Sequence, residues 1–128
     1  MTIELWMLLG SVLLLFSLIM VQQVYVDITL GAKYSLSNRE GSKPTAAISG
    51  RIDRAIANLM ENLALFTPVV LVLSAADIST GAARTGAVVF FCARIIHAVT
   101  YVSGITVVRS LAWFAGIIGI GIMLSALF

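Results

Sequence analysis

The run Leu5–Val26, LWMLLGSVLLLFSLIMVQQVYV, decides the fold class, for it carries no charge between Glu4 and Asp27. A bilayer core about 30 Å thick needs roughly 20 apolar residues of helix, so this run is long enough to cross one. No positively charged stretch precedes it and no small-residue cleavage site follows. It therefore reads as a first transmembrane helix rather than a secretory signal. The rest of the composition agrees. Of 128 residues, 60% are hydrophobic and 11% charged, against about 25% charged in a typical soluble domain. Mean hydropathy is +1.06. Eight Lys and Arg with six Asp and Glu could not keep so apolar a chain in solution. Disorder is excluded too, because disordered chains are polar and highly charged. A single cysteine excludes an intrachain disulfide and a Cys-based zinc site, and no metal is expected. A net charge of +2 gives no basis for a nucleic-acid partner.

Beyond the first span, residues 27 to about 43 form a polar loop holding Asp27, Lys33, Arg39, Glu40 and Lys43, with glycine, serine and asparagine between them. Ser42-Lys43-Pro44 reads as a helix start. The second helix is expected from about Thr45 to Ala76, some 48 Å at about 1.5 Å per residue. That exceeds the membrane, so its first part projects and the span itself covers about 52–76. Pro68 is a candidate kink. After a turn at Asp77–Gly81, the third span is expected over about 82–103, Gly104 ends it, and the fourth runs over about 107–128. The expected architecture is an all-α, single-domain integral membrane four-helix bundle. Lys33, Arg39, Lys43, Arg51, Arg54 and Arg109 crowd one side and only Arg84 lies on the other. By the positive-inside rule the first loop is cytoplasmic and both termini lie outside. With no additional targeting segment, a bacterial inner membrane is the expected location.

Charges inside a span cost about 2.5–3.5 kcal/mol each and default to functional candidates. The second helix carries Arg51, Arg54, Asn58 and Glu61 at spacings of three, four and three. At about 100° per residue they fall within roughly 80° of one another. The third carries Arg94, His97 and Tyr101, again on one face. Measured from the outer turn, Glu61 lies about 22 Å deep, Arg94 about 16 Å and His97 about 21 Å, so the two stripes overlap. The simplest reading of Arg94 alone is structural: an ion pair with Glu61 that fixes helix register, with Asn58 bridging helices. The whole set exceeds what register needs and points to a pocket for a small polar anion. Asp53 lies off the stripe, free to reach water or a headgroup. Trp6 and Trp113 fit aromatic belts at opposite faces. Ala112-x-x-x-Gly116 and Ala115-x-x-x-Gly119 are small-residue pairs for close helix packing.

Arg51-x-x-Arg54-Ala55-x-x-Asn58-x-x-Glu61, then Ala93-Arg94-x-x-His97-x-x-x-Tyr101-x-x-Gly104 and Arg109, resembles the MAPEG family, the membrane-associated proteins of eicosanoid and glutathione metabolism. The resemblance covers essentially the whole chain. One departure is Asn62, where some eicosanoid synthases have an aromatic residue after the glutamate. The resemblance implies a homotrimer of four-helix subunits, with glutathione as cosubstrate bound between neighbours near the cytoplasmic face. Arg51, Arg54, Asn58, Glu61, His97 and Tyr101 would bind the tripeptide. Arg109 would be the catalytic residue that activates its thiol. Arginines suit the two carboxylates of glutathione, and Glu61 suits its ammonium or else orients Arg94. A free thiol titrates near about 8.5, and an adjacent guanidinium favours the nucleophilic thiolate. The expected reaction is thiolate attack on a small lipophilic electrophile or hydroperoxide delivered from the lipid. The alternative is a non-catalytic trimer that binds a lipid or thiol. A small multidrug exporter shares the length and four spans but has its glutamate in the first span, where this chain has no charge.

Overall fold

The computed structural model describes residues 1–41 and 46–128. Four long helices run antiparallel: α1 (Ile3–Leu30), α3 (Ala47–Ala75), α4 (Gly81–Ser103) and α5 (Thr106–Ser125), with a single turn of helix, α2 (Ala32–Ser35), between the first two. All four long helices are long and apolar enough to cross a membrane. Both termini lie at the end of the bundle where α3 turns into α4 (the turn end). The short helix α2 and the α4–α5 junction lie at the other (the loop end). The chain is an integral multi-pass four-helix bundle, as its hydropathy predicts.

The helix limits follow from local chemistry. The first helix does not stop at Val26 but runs to Leu30, because Asp27 is held inside the fold. Its carboxylate accepts from Gln23 Nε2 at 2.9 Å and from the Ser35 hydroxyl. Gly31, at φ 85°, then breaks the helix and α2 folds back. The expected loop thus starts later than its charges indicate and contains a helical turn. The expected start at Ser42-Lys43-Pro44 lies outside the described residues; the described part of α3 opens at Ala47. Pro68 is accommodated within α3, which continues to Ala75. Thr80 caps α4, its hydroxyl accepting from Ala83 N at 3.2 Å. Gly104 closes α4 in the left-handed conformation at φ 81°, and a two-residue junction leads into α5. The last helix ends at Ser125 rather than at the C-terminus.

In a bilayer, helices associate by close packing rather than by escape from water. The tightest contact joins α4 and α5, where Gly86 and Gly119 face each other. A Cβ on Gly86 would stand 2.5 Å from the Gly119 carbonyl, and one on Gly119 would stand 2.7 Å from that of Gly86. The Ala115-x-x-x-Gly119 pair thus serves the close approach expected of it. Beside it Phe66 of α3 stacks on Phe90 of α4, ring centroids 3.9 Å apart. Leu63, Val70, Leu73, Ala87, Ile120 and Met123 complete this core. α1 is the outlier, packing one face on α3 and α4 and leaving most of its apolar surface uncovered. At the turn end, its buried Glu4 accepts from the Ser79 hydroxyl at 3.1 and 3.2 Å, and Arg84 Nε donates to the same hydroxyl at 3.2 Å. Towards the loop end, Gln22 Nε2 donates to Ser49 Oγ at 2.9 Å and Asp53 Oδ1 at 2.8 Å. Asp53, free to reach water as expected, stays exposed and also ties α3 to α1.

Candidate functional site

The helical spacing that aligns His97 with Tyr101 puts both rings on the face of α4 turned towards the loop-end half of α3 and α5. The rings meet edge to face with centroids 5.4 Å apart. Arg109, in the first turn of α5, lies over the Tyr101 ring with Cζ 4.6 Å from its centroid. Arg54 of α3 approaches the same ring at 6.0 Å. A tyrosine face is a favourable place for a guanidinium within about 6 Å, so one ring gathers two cations from two helices. His97, Tyr101 and Arg109 border a cleft of about 260 Å³, whose lining also includes Asn58, Ser110, Trp113 and Phe114. Trp113 and Phe114 meet edge to face at 5.1 Å and give the cleft an apolar wall.

The polar stripe of α3 is divided by the fold. Asn58 lines the cleft and Arg54 reaches Tyr101. Arg51, half-buried, lies against the α4–α5 junction: a Cβ on Gly104 would meet its Nη1 at 2.8 Å. Glu61 is exposed and outside the cleft lining. The expected Glu61–Arg94 ion pair does not form. Arg94 is 1% exposed. Its Nη1 donates to Asn58 Oδ1 at 3.2 Å, and its Nη2 donates to the carbonyls of Ala112 at 3.2 Å and Trp113 at 3.3 Å. The physical reason is Gly116. Without a side chain there, α5 comes close enough to offer main-chain acceptors; a Cβ would stand 2.5 Å from Nη2. Trp113, read from sequence as an aromatic-belt residue, is half-buried and forms the cleft wall. Its spacing of four from Arg109 was the signal that could have found it. Ser110 and Phe114 carried no such signal.

Comparison with known proteins adds the decisive observation: the sequence profile of the MAPEG family matches residues 3–128, essentially the whole chain. This chain belongs to the MAPEG family. No curated protein and no solved structure matches it individually. The MAPEG fold here is a multi-pass membrane bundle from a family of glutathione-associated transferases, peroxidases and synthases. Among the described residues, no group of three or more His, Cys, Asp or Glu is placed to hold a metal ion. What the MAPEG cleft offers instead is donors, namely the Arg109 guanidinium, tyrosine and serine hydroxyls, an imidazole and an asparagine amide, beside an indole and a phenyl ring, with Arg54 close to the Tyr101 ring. That inventory suits an anionic, carboxylate-bearing ligand next to an apolar one.

Proposed function

We propose that this protein is a membrane-embedded glutathione-dependent transferase or peroxidase acting on lipophilic electrophiles or hydroperoxides. The observation that carries the reading is the cleft in which Arg109, Tyr101, His97 and Asn58 converge beside Trp113 and Phe114. In this reading Arg51, Arg54, Asn58, His97 and Tyr101 hold the tripeptide, with the arginines on its carboxylates. Arg109 stands beside its sulfur. Glu61, exposed on the single chain, takes the ammonium at the boundary with a neighbouring subunit. The working unit is a homotrimer, with the loop end cytoplasmic and both termini outside, in a bacterial inner membrane. A trimer also covers the apolar surface that α1 leaves bare and the exposed Glu61 carboxylate, which is costly against lipid.

The chemistry follows from charge. The Arg109 guanidinium stabilises the thiolate, which attacks an electrophilic carbon to form a C–S bond as the leaving oxygen or halide departs with its electron pair. With a hydroperoxide the thiolate attacks the terminal oxygen. The O–O bond breaks, the alkoxide takes up a proton as an alcohol, and a second glutathione converts the sulfenic acid into glutathione disulfide and water. The apolar wall holds the second substrate and the membrane excludes water. The test is turnover of purified protein with glutathione and a panel of lipophilic electrophiles and hydroperoxides. Conjugate or disulfide formation supports the reading. Glutathione binding without turnover of any member would instead favour a non-catalytic binding protein.

A further inference from the structure

Among the described residues, Arg94 is the largest fully buried side chain, and nothing in the proposed chemistry uses it. All of its hydrogen-bond partners are neutral. A guanidinium within a membrane helix is costly and calls for a role. Its bonds also decide how a neighbour is oriented. Arginine has five N–H donors and no acceptor. The Asn58 atom 3.2 Å from Nη1 is therefore the amide oxygen. Asn62 strengthens the assignment: its Nδ2 donates to the Asn58 main-chain carbonyl at 2.8 Å and to Asn58 Oδ1 at 3.3 Å. Two donors converge on one oxygen. The Asn58 NH2 group is then the end left for the cleft that this residue lines. The other arm of Arg94 ends on Ala112 and Trp113, three and four residues beyond Arg109 on α5.

We infer that Arg94 is a positioning residue that turns the Asn58 amide into a donor facing the cleft and fixes the height of α5, and with it Arg109 and Trp113. Arg94 touches no ligand itself. The fixed Asn58 donor recognises a carboxylate, and the ligand, glutathione, rests on the functional reading above. Asn62 belongs to the same device, since its amide donates to the same Asn58 oxygen as Arg94.

Asn58→Asp is the discriminating variant. Aspartate keeps an acceptor, now charged, towards Arg94, but replaces the cleft donor with a carboxylate oxygen. Folding and thermal stability are expected to be kept or raised, while glutathione affinity falls roughly ten- to a hundred-fold, the worth of a lost buried hydrogen bond. Wild-type affinity in Asn58→Asp would overturn the inference. Arg94→Lys is expected to raise KM for glutathione and to lower kcat. A residue with a purely structural role would lower thermal stability and leave both constants unchanged in the folded fraction. A ligand-free measurement separates the two proposals: thermal unfolding of Asn58→Leu, Arg94→Met and the double variant. Strongly non-additive midpoints support the Asn58–Arg94 link, and additive ones overturn it. Wild-type protein that binds no glutathione would sink the functional reading and leave the unfolding result to judge the link.

Discussion

Gly116→Ala adds one methyl group to α5 at the point where Arg94 crosses it. The new Cβ would stand 2.5 Å from Nη2 and 3.0 Å from both Cζ and Nε. The tip of an arginine usually moves aside cheaply, but this one is 1% exposed and held by Asn58, Ala112 and Trp113. Either the guanidinium abandons the two α5 carbonyls or α5 shifts away from α4. Hydrogen bonds involving a charged group contribute about 1.5–3 kcal/mol each. The two carbonyls keep their helical bonds, so the loss falls mainly on the buried guanidinium. Against it stands the helix-propensity gain of about 1 kcal/mol for replacing glycine by alanine. The expected net destabilisation is about 2–5 kcal/mol. Gly121→Ala is the control, because a Cβ there meets nothing within 4 Å and only the propensity gain remains. The assay is reversible unfolding of the purified protein in mixed micelles with rising denaturing detergent. Gly116→Ala as stable as Gly121→Ala would refute the claim that Arg94 is pinned between α3 and α5.

Three further outcomes follow from other parts of the fold. Ser79→Ala removes the hydroxyl that donates to the buried Glu4 carboxylate; it should cost about 1–3 kcal/mol and speed proteolysis near the N-terminus, and unchanged protection would deny the clasp. Gly104→Ala forces a side chain into φ 81° and to within 2.8 Å of Arg51 Nη1. It should destabilise by about 1–2 kcal/mol from the backbone alone and weaken glutathione binding, whereas wild-type affinity would separate Arg51 from the site. Arg109→Ala should lower turnover about tenfold or more at neutral pH with a smaller change in affinity, from loss of the charge that favours the thiolate; equal turnover would remove its activating role.

Much of this was legible in the residues. The spans could be read because apolar runs of membrane length stand between a few charges, and Arg54, Asn58, His97 and Tyr101 because helical spacing puts polar groups on shared faces; Arg109 was reached only through the family resemblance. What escaped reading lay in the main chain. Periodicity pairs side chain with side chain, so it offered Arg94 the carboxylate of Glu61; the acceptors it meets are carbonyls exposed to it by a glycine. Asp27 reads as a loop residue, but Gln23 holds it one turn along α1 and Ser35 reaches it once the chain doubles back at Gly31. The place of Trp113 in the cleft wall was not legible, because a residue pattern shows amphipathic character without showing which helix faces it.

The central claim is that the cleft between α3, α4 and α5 binds glutathione. The most direct test is calorimetric titration of the detergent-purified protein with glutathione and S-hexyl-glutathione, alongside Arg54→Ala. Saturable binding of both ligands is expected at about one per subunit interface, weakened in Arg54→Ala about tenfold or more by the loss of one charged carboxylate contact. Absence of binding by a folded, trimeric wild-type protein, or equal affinity in Arg54→Ala, would contradict it.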